Sequence, residues 1–308
     1  MKTSDSPLPL VSIITVNYNQ TGLTLALLNS IRQQEYARTE VIVVDNASDI
    51  DPRTSIAGTF PEVNILRNER NLGFAGGNNV ALPYATGEFL FFVNNDAEIP
   101  PGCIATLVRH FHEHPQTGIA SPLICYFHET PETIQYAGMT PVHPITARNQ
   151  TIGSGEIDRG QYQQSMRTAY AHGAGMMISR AALQECGPMD TGFFLYYEEL
   201  DWCERIRRQG YEIWVVPAAR LYHKESATVE TLGALKTYYL NRNRVRFMRR
   251  NFSGAALLFF FVFLWLVTVP KNTILLLLRQ QNNNLAAFWQ GILWNFGLKQ
   301  NRFERVNG

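Results

Sequence analysis

FLFFV (89–93), followed at once by NNDAEIP (94–100), is the stretch on which the fold turns. Five consecutive branched or aromatic residues are too few for a buried helix and suit a strand covered on both faces. Three segments of the same kind precede it: LVSIITV (10–16), EVIVVD (40–45) and VNIL (63–66). Between the first two, TGLTLALLNSIRQQEY places Leu23, Leu27, Leu28 and Ile31 on one helical stripe. Strand and helix alternate as far as Ala85, an order that predicts a parallel sheet with helices on both faces. Ligands of such sheets bind beyond the carboxyl ends of the strands. Those ends carry the polar clusters Asn17 to Asn19, Asp45 to Ser48 and Asn94 to Asp96.

From Gly118 to Gln164 the pattern weakens into Pro, Gly and Thr-rich segments, read as loops and short strands. AHGAGMMISRAALQECG then reads as a strand leading into a helix, FFLYYEELDWCERIRRQGY as a turn and a helix, and EIWVVP as a strand. RQQNNN (279–284) reads as a polar linker.

Bulk properties remove several classes. A net charge of +1 on 308 residues gives no footprint for nucleic acid. Cys103, Cys125, Cys186 and Cys203 lie far apart with no CxxC pair, so zinc ribbons and redox motifs are unsupported and reduced cytosolic thiols are expected. MKTSDSPLPL lacks the apolar core of a signal peptide, so the catalytic part is expected to stay in the cytoplasm.

Chemistry gathers at a few points. Asp45 ends a strand and offers acceptors to a base or ribose, or else caps a helix. Asp96 puts one carboxylate at a rigid strand end, where a hard cation bridging a diphosphate would sit; a turn is the plainer alternative. EELD crowds Glu198, Glu199 and Asp201 beside Tyr196, Tyr197 and Trp202, a setting that raises carboxyl pKa values and suits a general base. Its alternative is a solvated helix start. His223, in RLYHKES, would complete a metal site with Asp96, although a lone His is more often structural. HFHEHP (110–115) lacks HExxH spacing and reads as a solvated helix end. NLGFAGGNN (71–79) is not GxGxxG, and its glycines would let backbone approach a ligand closely.

Taken in order, SIITVNYN, VIVVDNAS, NLGFAGGNN, FLFFVNNDAEI, GAGMMISRAAL, FFLYYEELDWCERIRRQGY and YYLNRNRVRFMRR resemble inverting family 2 glycosyltransferases of the GT-A fold, in particular the rhamnosyltransferase-like branch. The resemblance spans about residues 10 to 250. It implies a Rossmann-like mixed α/β sheet flanked by helices, a nucleotide-sugar donor, a Mg or Mn ion and inversion by single displacement. Rhamnose is among the sugars it admits, and the acceptor it implies is a glycan or lipid-linked hydroxyl of a polysaccharide. With the polar strand ends, it gives an expected donor-binding set of Thr15, Asn17, Asp45, Asn71, Gly73, Asn78 and Asn95. Asp96 takes the metal position with His223 as a second ligand, and Glu199 takes the base position, supported by Glu198 and Asp201. Asn94 stands where many relatives carry Asp, and Glu198-Glu199 where they often read Glu-Asp.

The expected division is a glycosyltransferase domain over 1–235 and a basic, apolar helical region for membrane association over 236–308. Arg242, Arg244, Arg246, Arg249 and Arg250 precede AALLFFFVFLWLVTV, PKNT and ILLLL, a flank suited to an anionic cytoplasmic leaflet. The apolar residues of 255–278 favour insertion by roughly 7 kcal/mol and Lys271 opposes it by about 3 kcal/mol. A peripheral or shallowly inserted C-terminus is therefore expected. Leu285, Phe288, Trp289, Ile292, Leu293 and Phe296 mark a candidate interfacial helix. Two rival functions are a nucleotidyltransferase, disfavoured because TVNYNQTG lacks Lys and Arg, and a non-catalytic sugar-binding module.

Overall fold

The computed structural model describes residues 8–127, 129–224 and 233–298. Residues 1–7, on which most of the reading of the N-terminus rests, lie outside them. Ten strands form one sheet: β1 (Val11–Asn17), β2 (Thr39–Asp45), β3 (Asn64–Arg67), β4 (Phe89–Val93), β5 (Ala97–Glu98), β6 (Thr117–Tyr126), β7 (Ile134–Tyr136), β8 (Met166–Arg167), β9 (Gly175–Ser179) and β10 (Glu212–His223). The helices are α1 (Thr21–Arg32), α2 (Arg53–Thr59), α3 (Gly73–Val80), α4 (Cys103–Glu113), α5 (Arg180–Cys186), α6 (Glu198–Arg208), α7 (Gly233–Asn251), α8 (Gly254–Phe263), α9 (Val269–Leu278) and α10 (Asn282–Trp294).

FLFFV is β4, and its alternation feeds two cores. Phe89, Phe91 and Val93 join α1, α2 and α4 on one face, while Leu90 and Phe92 join α3, α5 and α6 on the other. Strand order is β3-β2-β1-β4-β9-β6-β10-β5. The left half is parallel as expected. The alternation reads no further than that half: β9 runs antiparallel to both β4 and β6, so the sheet is mixed, as the family resemblance implies. Periodicity reports which residues are buried and is silent on strand direction, which the long excursion between β6 and β9 reverses.

Two further expectations change. TGIASPLICY, inside the weakly patterned stretch, is the ten-residue strand β6 with nine buried positions. Its Pro122 pairs with Val216 at the bulge of β10, where a missing N–H is tolerated. The end of RQQNNN is no linker but the first turn of α10, whose Phe288 and Ile292 are buried against the core. Gly291 lets α10 sit on α7, since a Cβ there would stand 2.5 Å from the Tyr238 carbonyl oxygen. The candidate interfacial helix therefore spends much of its apolar face on protein.

The segment Gly254–Leu278 is a continuous helix of 25 residues, long and apolar enough to cross a membrane. A π-turn over Leu264–Thr268 interrupts it just before Pro270, which has no N–H to continue the α pattern. Leu258, Phe259, Leu266 and Leu278 are each more than half exposed. The expected border between residues 235 and 236 falls inside α7.

Candidate active site

At the carboxyl ends of β1 and β2 the polar residues bond to one another. Asn17 donates through Nδ2 to Asp45 Oδ1 (2.9 Å) and accepts at Oδ1 from the Thr24 hydroxyl (2.8 Å). Asn95 donates in turn to Thr24 Oγ1 (3.2 Å). Asp45 also takes the Ser48 hydroxyl (2.5 Å), the Ser48 N–H (3.2 Å) and Arg67 (3.1 Å). Thr15, Asn17 and Asp45 have no exposed surface. They lie beneath the surface, where Asn17 and Asp45 tie the two strand ends together and Thr15 Oγ1 has no hydrogen-bond partner among the described residues, while Asn71 and Asn95 reach the surface.

Asn46, not singled out in the sequence, joins the second floor layer. Its Oδ1 accepts from Asn68 (3.0 Å) and the Leu72 N–H (3.0 Å), and its Nδ2 donates to Asn71 Oδ1 (2.9 Å) and the Gly73 carbonyl (3.1 Å). It thereby shapes the loop before α3. Asn78 turns its amide back onto the Phe74 carbonyl (2.9 Å) and is buried.

Asp96 and His223 meet as the sequence suggested, although far apart in the chain. The β10–β5 pairing sets His223 opposite Ala97, and Nε2 lies 3.0 Å from Asp96 Oδ1. His223 Nδ1 lies 2.9 Å from Gln135 Oε1, a contact that orients the ring with Nε2 toward the carboxylate. Asn94 Nδ2 approaches Nε2 at 3.3 Å. A carboxylate oxygen and an oriented imidazole nitrogen, both buried, are a donor set that Mn or Mg accepts. His172 packs against His223, with ring centroids 6.1 Å apart. Burial and the neighbouring His223 push its pKa down to about 3, so it is neutral.

The carboxylates stand at the start of α6. Glu198 is buried, Glu199 is partly buried, and Oε2 of each is sealed from solvent without a hydrogen-bond partner among the described residues. Burial raises both carboxyls, and the negative charge of Glu199 raises Glu198 further. Backbone N–H groups of the first turn hold Glu199 lower, at about 7. Asp201 behaves differently: it is saturated by Arg205 (3.1 Å), Arg250 (3.0 Å) and Asn251 (3.0 Å). The EELD start of α6 is therefore buried rather than solvated.

These parts share walls. Cys203, one turn beyond Glu199, accepts from the Ala171 N–H, next to His172 (3.4 Å). The Phe74 N–H donates to the Phe194 carbonyl (2.7 Å), joining the loop of α3 to the turn before Glu198. A cleft of about 710 Å³ opens beside them, lined by Arg70, Asn71, Phe194, Tyr239, Arg242 and Trp294 among others.

Residues 12–187, more than half of the chain, match Glycosyl transferase family 2. The chain belongs to that family. It is 27% identical over 248 residues to the low-salt glycan biosynthesis hexosyltransferase Agl10 of Haloferax volcanii, covering 79% of this chain and 76% of that one. Over 250 residues it is 23% identical to the dTDP-rhamnosyl transferase RfbF of Shigella flexneri, covering 78% and 79%. Among solved structures, the mannosyltransferase PcManGT of Pyrobaculum calidifontis, in complex with GDP-Man and Mn2+, aligns at TM-score 0.58 and 17% identity over 98% of this chain and 79% of that one. GalNAc-T7 with UDP, GalNAc and Mn2+ aligns at 0.60 and 17%, covering 77% of this chain and 52% of that one. The GT-A fold follows, and the nucleotidyltransferase and sugar-binding readings fall away.

In this family 2 glycosyltransferase, several site residues escaped the sequence reading. Gln135 lies in the weakly patterned stretch and His172 at the head of a segment read as strand and helix, and only the placement of β7 and β9 brings them to His223. Asn243 stands between Arg242 and Arg244 in a strongly basic run and carries no sequence signal of its own. HFHEHP also needs correction: His110 is buried against Trp214 (5.0 Å) and His114 (4.5 Å), and burial lowers its pKa to about 4. A cluster of Cys125, Glu132 and Asp158 has metal-like spacing, yet Arg220 bonds both carboxylates and fills it.

The raised Glu199 carboxyl has a consequence for stability. Between its ordinary value of 4.5 and about 7, the folded protein holds a proton that the unfolded chain releases. Its contribution is complete below pH 4.5 and is lost as pH rises through 7. Melting temperature should fall over that window, and Glu199→Gln should flatten the fall. Scanning calorimetry on both proteins measures it, and identical slopes would show that Glu199 titrates normally.

Proposed function

We propose that this chain transfers a sugar with inversion, from a nucleoside diphosphate donor to an acceptor hydroxyl, with Glu199 as general base. The observation that carries the reading is the desolvated Glu198–Glu199 pair at the start of α6, joined through Cys203 and the 171–172 segment to Asp96 and His223. Burial raises both carboxyls, Glu198 further through its neighbour's charge, and Glu199, at about 7, is poised to take a proton near neutral pH. The acceptor oxygen attacks the anomeric carbon as Glu199 removes its proton, and the bond to the diphosphate breaks. Asp201 supports the pair by anchoring α6 to Arg250 and Asn251 of α7.

Asp96 and His223 would hold the Mg or Mn ion, which when bound neutralises the charge of the departing diphosphate. Asn71 and Asn95, with backbone at Gly73, are the donor contacts nearest the surface, and Thr15, Asn17, Asp45 and Asn78 position them from below. Rhamnose as the sugar is supported by the likeness to RfbF. A lipid-linked acceptor is supported by WfgD of Escherichia coli, a glucosyltransferase acting on GlcNAc-diphosphoundecaprenol, 36% identical over 88 residues, covering 28% of this chain and 35% of that one. The region 236–308 would then keep the enzyme on the cytoplasmic face of the membrane, peripheral or shallowly inserted through the exposed side of Gly254–Leu278.

Three measurements test these parts. Glu199→Gln should keep donor binding and lose about a hundred- to ten-thousand-fold in turnover. Glu198→Gln, which mimics the protonated state, should lose far less. The reverse order would move the base by one residue.

Asp96→Ala should abolish the gain in UDP affinity that Mn confers, read by titration calorimetry. Undiminished Mn dependence would remove Asp96 from the metal site.

Because α10 braces α7, deletion of the C-terminus is a poor test of anchoring. Serine at Leu258, Phe259, Leu266 and Leu278 together should instead release the protein from sedimented membranes with its melting temperature unchanged. A variant that still sediments would place the anchor elsewhere.

A further inference from the structure

The turn ahead of Glu198 is built in a conformation its residues disfavour. Phe194, Tyr196 and Tyr197 have φ of 64°, 68° and 75°, the left-handed region. Such backbone is strained for residues that carry a side chain and persists where its surroundings impose it. The helix that follows does not impose it. Its N-cap position is Tyr197, which makes no side-chain cap bond, where Ser, Thr, Asp or Asn would ordinarily fix the first turn.

The fixing atoms come from α7. Asn243 has no exposed surface, and its amide nitrogen donates to the carbonyls of Phe193 (2.8 Å), Leu195 (2.7 Å) and Tyr196 (2.9 Å). Two hydrogens are shared among three acceptors of one turn. Its Oδ1 accepts from Arg242 Nε (2.8 Å), and Arg242 Nη2 donates to the carbonyls of Gly192 (2.8 Å) and Phe193 (2.6 Å). Arg242 lies under the Trp294 ring of α10, 4.8 Å from its centroid. The helix already buries Tyr238, Val245, Phe247 and Met248, so the fold has ample apolar anchorage without this amide.

We propose that Asn243, braced by Arg242, is a positioning residue for the base: it holds the left-handed turn that aims Glu199 and ties that turn to the C-terminal helices. The inference rests on Glu199 being the base. Asn243→Asp keeps the shape and the acceptor for Arg242 but removes both donors and faces three carbonyls with a carboxylate. Asn243→Gln keeps the amide one methylene away.

The test uses the full chain with three readouts: hydrogen exchange over residues 193–201, calorimetric binding of UDP with Mn, and nucleoside diphosphate release from UDP-glucose, GDP-mannose and dTDP-rhamnose. Asn243→Asp should speed exchange in 193–201 by at least about tenfold, leave the sheet amides and UDP binding unchanged, and lower kcat about a hundredfold at nearly constant KM, as expected for a displaced catalytic group. Asn243→Gln should recover part of both losses. Unchanged exchange in 193–201, or a loss of UDP binding that tracks the loss of kcat, would overturn the proposal. Should Asn243→Asp fail to fold, wild-type exchange and kcat in Asn243→Gln would overturn it equally, and intermediate values would support it. Should the wild type release diphosphate from none of the three donors, the exchange readout decides. Turnover retained by Glu199→Gln would sink the base assignment and this proposal with it, an outcome distinct from unchanged exchange in the Asn243 variants.

Discussion

The carbonyls of Phe193, Leu195 and Tyr196 converge on the single buried amide of Asn243, and the turn they belong to touches nearly every part of the site. The Phe194 carbonyl, pushed outward by the left-handed backbone, accepts the Phe74 N–H at the start of α3. Gly73 must therefore be glycine twice over. Its own φ is +72°, and a Cβ would stand 2.2 Å from that carbonyl oxygen. The loop ahead of α3, shaped from the other side by Asn46, is thus seated on the same turn that aims the carboxylates.

Three acids within four residues show how environment divides labour. Glu198 and Glu199 have lost water without gaining a cation close enough to compensate, so their protons are held more tightly. Asp201, two residues on, faces α7 and is matched by an arginine on either side. Helical geometry accounts for the split, since the residues point in different directions from α6: one toward a clamp of guanidinium groups, the others toward a dry pocket. Backbone N–H groups lower both, and the charge of Glu199 raises Glu198 above it.

Burial was legible in the sequence wherever apolar residues ran together, as in FLFFV, and so were the polar strand ends that follow. What escaped has a common cause. Strand direction leaves no trace in composition, so β9 could not be seen reversing the sheet, nor His172 arriving beside His223. The same polar residues at strand ends were legible as a site yet not as layers. Asn17 and Asp45 satisfy each other below the surface, and only the register of β1 against β2, which sets Asn17 opposite Asp45, shows it. The EELD carboxylates were found because acidic crowding beside aromatics is a local signal. Their support, Asn243, is more than forty residues away and chemically bland.

The arginines of α7 carry the same lesson about charge. Read in one dimension, Arg242 to Arg250 look like a flank awaiting an anionic surface. In the fold, Arg242 bonds the turn at Gly192 and Phe193, Arg246 bonds Asp190 (2.8 Å) and Arg250 bonds Asp190 (3.1 Å) and Asp201. A guanidinium committed to a carboxylate or to backbone carbonyls has little left for a lipid headgroup, so a lipid surface would find its contact mainly on the exposed apolar side of α8 and α9. That side begins three residues after α7 ends. The helix that holds the turn ahead of Glu198 therefore leads directly into that exposed apolar surface, and whatever covers the surface would act on the turn through α7 rather than through a loose tether.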